Sequence, residues 1–247
     1  MRPFLQKFMT EISDLVLARE CIGCTTLGTL ICAHCLRTVQ NRAHIMRDLR
    51  FDDLAEDLRI PLAIAHLYAP PIDAMIYRYK DNAIPELARL LANLLAGAIA
   101  QIPAVIPVFN PVFNPEFNPE NGPTLAQLPI LIPIPSRKSS IRARGFDPMS
   151  LISDHLARAG YPIAPWLVDQ RGAGRSKTLG SADRMHAAHD AFRVGRIPER
   201  YAFNPVPVIV IDDVTTSGAT FNAAVSQLLL AGVHVIGCAA VAGVRKR

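Results

Sequence analysis

The sequence lacks any uninterrupted apolar run of the roughly 18 to 20 residues that a membrane span requires, because charged residues, prolines and asparagines break each candidate. Aromatic residues make up only 6% of the chain and include a single tryptophan, so there is little material for stacking the bases of a single strand. Disordered chains have a low apolar content, whereas 50% of the 247 residues here are hydrophobic. These features predict a globular protein with a sizeable core and no membrane span.

A secretory signal peptide is not expected either. Residues 1–18 place apolar side chains on one helical face, but Lys7, Glu11 and Asp14 interrupt any continuous apolar segment. The pattern predicts an amphipathic helix in a cytoplasmic protein. Lysine and arginine number 26 against 21 acidic residues, which gives a net charge of +5 and a basic surface suited to phosphorylated ligands or nucleic acid.

Four of the five cysteines lie within fifteen positions, spaced Cys-x2-Cys-x7-Cys-x2-Cys: Cys21, Cys24, Cys32 and Cys35. In a chain without an export signal, this pattern indicates a metal rather than disulfides. The spacing allows four thiolates to reach one tetrahedral Zn²⁺ as two short knuckles, which predicts a structural zinc site. His34 lies inside the second knuckle and is the alternative ligand. Cys238 lies in an apolar strand pattern and is predicted to be an inert buried thiol.

Apolar strand patterns alternate with helical patterns over most of the chain, which predicts an α/β fold with a parallel sheet flanked by helices. A soft boundary near residue 60 divides a zinc-binding module (1–59) from a larger domain (60–247). Four proline-containing units at 108–123 predict a surface insertion. Ligands of such sheets bind at the carboxyl ends of strands, so we expect chemistry in the loops after Ile134 and Ile211. The predicted strands are 61–68, 128–135, 206–211 and 233–241, and the predicted helices are 72–80, 84–102, 147–159 and 219–230.

The strongest motif covers residues 208–220. An apolar β-branched run delivers two adjacent carboxylates, Asp212 and Asp213, and a loop of hydroxyl residues then opens into a helix near Ala219. Backbone N–H groups at a helix start can wrap a phosphate, and Gly218 lets the backbone approach it closely. The carboxylates can accept hydrogen bonds from sugar hydroxyls and hold Mg²⁺ directly or through water.

Two basic stretches accompany this motif. Residues 136–144 follow a strand that ends in a proline-bounded turn, where backbone donors and cations suit a diphosphate. Residues 171–184 combine two glycines with several cations and predict a lid over the ligand. A solvated basic face and an ordinary exposed loop are the respective alternatives.

Residues 208–220 resemble, at each of their thirteen positions, the phosphoribosyl pyrophosphate (PRPP) signature of type I phosphoribosyltransferases. The whole chain resembles the ComF family, which joins a zinc-binding cysteine cluster to a phosphoribosyltransferase-like domain and is linked to DNA uptake in natural transformation. Further carriers of this resemblance are the paired Cys-x-x-Cys, Tyr79-Lys80, residues 132–135, Arg144-Gly145-Phe146, Leu179 with Arg184, and Ala191-Phe192. The chain departs from the family at Asp147, Ser176 and Ala187, where amide side chains are usual, and at the repeat 108–123.

The resemblance implies a type I phosphoribosyltransferase-like fold and a site for PRPP with Mg²⁺. It also implies that Asp212 and Asp213 are the catalytic residues. The implied PRPP-binding residues are Lys80, Ser136, Arg137, Lys138, Arg144, Arg184, Val214, Thr215, Thr216, Ser217, Gly218, Ala219 and Thr220. The expected function is phosphoribosyl transfer in DNA uptake; the alternatives are a non-catalytic PRPP sensor and a module that binds single-stranded DNA or an uptake helicase. The acceptor substrate and the oligomeric state stay open.

Overall fold

The computed structural model of the chain describes residues 20–41, 44–105, 128–171, 191–202 and 206–244. The predicted amino-terminal helix (1–18), the repeat (108–123) and all of the predicted lid except Arg171 lie outside these residues. The described helices are α1 (Ala33–Gln40), α2 (Ile72–Asp81), α3 (Ala88–Ile99), α4 (Lys138–Arg144), α5 (Pro148–Arg158), α6 (Glu199–Ala202) and α7 (Ala219–Leu230), with a 3₁₀ turn at Pro85–Leu87. The described strands are β1 (Ile45–Arg50), β2 (Arg59–Leu67), β3 (Ile130–Pro133), β4 (Leu167–Asp169), β5 (Phe192–Val194), β6 (Val208–Thr215) and β7 (Val235–Gly243).

Five strands form one sheet in the order β1-β2-β7-β6-β3. The pairs β2·β7, β7·β6 and β6·β3 are parallel, and β1 pairs antiparallel with β2 at one edge. The predicted α/β class with a mostly parallel sheet is therefore confirmed. β1 precedes residue 60, so the sheet includes chain on both sides of that position. β4 and β5 form a separate antiparallel ribbon.

Helices cover both faces of the sheet, as the continuous apolar runs of its central strands require. On one face, α3 and α5 pack through side chains such as Leu91 and Ile152. On the other face, α7 packs through Phe221 and Leu228. β6 serves both layers because its successive side chains alternate, with Ile209 and Ile211 in the first core and Val208 and Val210 in the second.

The helices α5 and α7, which come after the neighbouring strands β3 and β6, pack on opposite faces of the sheet. The chain leaves β3 toward α5 in the first layer and leaves β6 toward α7 in the second. Such a divergence opens a crevice at the carboxyl ends of the two strands, and this is the usual ligand position in open α/β sheets.

The cysteine-containing segment packs against the first core layer. Cys21, Cys35 and Val39 are buried there together with Ile72 and Met75 of α2. Across the part of the chain that the structure describes, no helix combines the length and the hydrophobicity needed to cross a membrane.

Candidate functional site at the carboxyl ends of β3 and β6

The two adjacent acids of the sequence motif lie near the end of β6. Asp213 is buried, and one of its carboxylate oxygens, Oδ2, lies 2.7 Å from the Lys80 Nζ atom. Asp212 is half-buried, and its Oδ1 atom accepts a 2.9 Å hydrogen bond from the Asp213 backbone N–H. The strand thus presents one carboxylate paired with a cation and one fixed by the backbone.

Burial and the charge of Asp213 raise the pKa of Asp212 well above its usual value, while the Lys80 ammonium acts in the opposite direction. The pKa of the nearby Tyr79 hydroxyl is also raised, by burial and by the charges of Asp213 and Asp147. Tyr79 therefore stays neutral and donates a 2.6 Å hydrogen bond to the Pro148 carbonyl. That bond fixes the end of α2 next to Lys80.

The loop from Thr215 to α7 turns the chain sharply. Gly218 immediately precedes the helix with φ +87°, in the left-handed region that glycine adopts at no steric cost. Ser217 Oγ accepts a 3.3 Å hydrogen bond from the Ala219 N–H, which belongs to the first turn of the helix. The twelve-residue helix α7 thus begins a short turn after the end of β6, which brings its amino terminus, the kind of helix end that can bind a phosphate, to that strand end.

The loop after β3 brings hydroxyls and cations to the neighbouring strand end. Ser136 Oγ donates a 2.8 Å hydrogen bond to Asp147 Oδ1, and the same carboxylate caps α5 by accepting from the Met149 N–H at 3.1 Å. Arg144, in the last turn of α4, lies 3.4 Å from Asp81, the last residue of α2. These contacts hold the loop and α4 against the element that carries Lys80.

One pocket of about 200 Å³ lies between these loops and helices. It is lined by Lys80, Ile134, Pro135, Ser136, Arg137, Ser140, Arg144, Arg171, Asp212, Asp213, Val214 and Thr220. The structure thus brings together in one cavity the ends of β3 and β6 and the end of α2. Larger cavities of about 540 and 420 Å³ lie elsewhere, lined mainly by apolar residues and away from these acids.

Several predicted site residues have other positions. Lys138 is exposed at the start of α4 and is not among the pocket-lining residues. Thr215 is buried within β6, and Gly218 is buried in the following turn. Thr216, Ser217 and Ala219 are exposed in that turn. Arg184 lies outside the described residues.

Two pocket-lining residues with polar side chains were not assigned individually from the sequence. Arg171 was the first residue of the predicted lid, and Ser140 was not predicted. Asp169, two residues earlier, could have marked Arg171 as a binding residue, because a carboxylate so close to an arginine can fix its guanidinium.

The four clustered cysteines form a second candidate site. Their Sγ atoms all lie within 4.8 Å of one another, close to the sulfur separation of about 3.8 Å that a tetrahedral Zn–S distance of about 2.3 Å implies. The Cys32 N–H donates to Cys21 Sγ at 3.2 Å, and the Thr26 hydroxyl lowers the pKa of Cys24 to about 6. Both features favour the thiolate, the metal-binding form, at Cys21 and Cys24, whereas burial raises the pKa of Cys35. The exposed His34 is not part of the cluster, so these four thiols can hold a metal ion, compatible with structural zinc.

Comparison of the sequence with protein-family models gives no match, and a search of curated proteins gives no significant match.

Proposed function

We propose that this chain binds PRPP with Mg²⁺ in the pocket between β3 and β6 and is a phosphoribosyltransferase-like protein of the ComF type. One observation carries the proposal: Asp212 and Asp213, with Lys80 on Asp213, share a cavity with the cations that follow β3. The thirteen-residue resemblance of 208–220 to the PRPP signature supplies the identity of the ligand.

The pocket suits the three parts of PRPP. Asp212 and Asp213 are hydrogen-bond acceptors for the ribose hydroxyls. The turn 215–220 offers backbone N–H groups and hydroxyls to the 5-phosphate. Arg137 and Arg144 supply charge for the diphosphate. The donor set also fits Mg²⁺, which prefers carboxylate and phosphate oxygens and would reduce the charge of the departing diphosphate.

Transfer of the phosphoribosyl group needs no nucleophile from the protein. The bond between the anomeric carbon and the diphosphate breaks through an oxocarbenium-like state, and an acceptor attacks that carbon. Lys80 pairs with one carboxylate oxygen of Asp213, and the other oxygen can accept a hydrogen bond from a ribose hydroxyl. The cations after β3 stabilise the negative charge that accumulates on the diphosphate.

The cysteine cluster has a structural role in this proposal. Four thiolates complete the coordination of Zn²⁺ and leave no position for a substrate. Zinc binding would contribute folding energy to a segment with few core residues of its own. The ComF resemblance extends the proposal to a cytoplasmic role in DNA uptake.

Calorimetric titration with PRPP, with and without Mg²⁺, tests the proposal. We expect saturable Mg²⁺-dependent binding by the wild type and at least tenfold weaker binding by Asp212→Asn, since a charged acceptor is lost. Asp154→Asn is the matched control, because Asp154 is exposed on α5 and does not line the pocket. Absence of wild-type binding, or equal affinities for both variants, would contradict the placement of PRPP.

Diphosphate release separates an enzyme from a sensor. If PRPP binds, release of diphosphate on addition of nucleobases or amines indicates transfer, whereas binding without release indicates a PRPP sensor. If PRPP does not bind, the basic surface becomes the reason to test single-stranded DNA or a helicase as partners.

A further inference from the structure

We propose that Arg171 contacts the diphosphate of the ligand, together with Arg137 and Arg144, so that the pocket distinguishes PRPP from ribose 5-phosphate. This inference rests on the proposed function and adds its specificity determinant. Arg171 lines the pocket and lies just after β4, before β5 of the same ribbon, far in sequence from both β3 and β6.

The Arg171 guanidinium is held on three sides. Its Nε–H donates to Asp169 Oδ1, and its Nη2 group donates a 2.6 Å hydrogen bond to the Pro135 carbonyl. Its plane also lies over the Phe192 ring, with the guanidinium carbon 4.7 Å from the ring centroid. An arginine fixed in this way loses little conformational freedom when a ligand binds.

The contacts leave donors for a ligand. A guanidinium has five N–H groups, and the hydrogen bonds to Asp169 and Pro135 use Nε and one hydrogen of Nη2. Within the described ranges, both N–H groups on Nη1 have no protein acceptor. The side chain is 21% exposed and lines the cavity, so these donors are accessible from the ligand side.

The position of Arg171 favours the diphosphate over the 5-phosphate. Its hydrogen bond to Pro135 places it beside the β3 loop, next to Ser136 and Arg137. The 5-phosphate turn follows β6 instead and includes Thr220. Asp169 is almost fully buried, so it fixes the guanidinium and offsets its charge while no anion is present.

The competing explanation is purely structural: Arg171 could serve only to clip the ribbon to the β3 loop. The two explanations differ in ligand selectivity. A diphosphate contact affects ligands that carry diphosphate, whereas a lost clip disturbs the pocket for each ligand that enters it.

Titrations of Arg171→Ala with PRPP, inorganic diphosphate and ribose 5-phosphate decide between them. We expect PRPP and diphosphate to bind about 10- to 100-fold more weakly than to the wild type, with ribose 5-phosphate changed by less than about twofold. Arg171→Lys should show an intermediate loss, since lysine retains the charge without the planar fork. Arg193→Ala is the control, because Arg193 is exposed on β5, directly after Phe192, and does not line the pocket.

Equal losses for all three ligands would overturn the inference in favour of the clip, and unchanged diphosphate affinity would overturn it outright. Failure of the proposed function has a different signature. A wild type that binds inorganic diphosphate through Arg171 but not PRPP would retain the anion site and refute the PRPP assignment, and a wild type that binds neither would refute both.

Discussion

Asp212 combines two requirements that conflict when the pocket is empty. It accepts hydrogen bonds from sugar hydroxyls most strongly when it is ionised, yet burial and the charge of Asp213 raise its pKa. The folded protein therefore binds a proton at Asp212 more tightly than the unfolded chain does. By linkage, stability falls as pH rises from the unfolded value near 4 toward the folded value, because the ionised carboxylate must then be held in the pocket.

Asp212→Asn should consequently stabilise the ligand-free protein at pH 7 although it weakens ligand binding. We expect its Tm to exceed that of the wild type by a few degrees at pH 7, since about 1 kcal/mol corresponds to roughly 2–4 °C in a domain of this size. The difference should shrink as pH falls toward about 4. Thermal unfolding without added Mg²⁺ across this range measures it, and a variant less stable than the wild type at pH 7 would contradict the account.

The acids could be identified from sequence because they lie in a contiguous motif at the end of an apolar run. Their contacts with other elements could not, although the resemblance implied Lys80 as a binding residue. Lys80 lies 2.7 Å from Asp213 across a large separation in the chain, and Arg171 contacts Pro135 through a ribbon that the sequence did not predict. Contacts of this kind depend on how elements pack, and the apolar periodicity of the sequence does not predict them.

The turn between β6 and α7 combines a left-handed backbone conformation with the proposed contact to the 5-phosphate. At Gly218, φ is +87°, and an added Cβ would lie 3.0 Å from the Cδ2 atom of Leu49. The leucine methyl can move, so the main cost of a larger residue is the left-handed conformation itself. The same conformation occurs at Gly232, φ +76°, just after the other end of α7, with no atoms within 4 Å of an added Cβ.

This pair of glycines provides a matched test of the phosphate turn. Gly218→Ala and Gly232→Ala should each lose about 1–2 kcal/mol of unfolding free energy, measured by urea denaturation. Only Gly218→Ala should weaken binding of ribose 5-phosphate, because only its turn faces the proposed 5-phosphate. Equal affinities in the two variants would argue that the turn does not contact the phosphate.

Elements with a strong apolar period were predictable, and those without one were not. The helix expected at 219–230 is present as α7, and the strand expected at 206–211 is present but continues to Thr215. β1 contains two arginines and an aspartate and takes its place as an edge strand by pairing with β2. α4 carries polar residues around most of its circumference and has no buried residue, so no apolar period marks it in the sequence.

α2 links the two candidate sites of the molecule. Its first residue follows Pro71, and a Cβ added at Gly23 would lie 2.8 Å from the Pro71 Cβ and 2.7 Å from Cys35 Sγ, so the first knuckle packs directly on the start of this helix. Lys80 lies in the last turn, about 12 Å along the helix axis from Ile72. A helix with a buried face transmits displacement as a rigid body, so loss of order in the knuckles should reach Lys80.

Cys24→Ser tests this connection. The wild type is expected to hold about one zinc per chain by elemental analysis, and the variant should hold much less, because one of four thiolates is lost. Hydrogen exchange should increase in 20–41 and in the first turn of α2. PRPP affinity should fall about fivefold or more, the range of ordinary coupling between sites, because Lys80 no longer holds Asp213 in place.

Cys238→Ala provides the control, since this buried thiol lies on β7, apart from the cluster, and its loss should leave the zinc content unchanged. A chelator applied to the wild type should reproduce the Cys24→Ser exchange pattern, which separates metal loss from any effect of the serine itself. If Cys24→Ser loses zinc and its knuckles exchange freely while PRPP affinity stays at the wild-type value, the cluster and the pocket are independent. In that outcome α2 is held by its core contacts and by the Tyr79 hydrogen bond to Pro148, and the cysteines stabilise only their own segment.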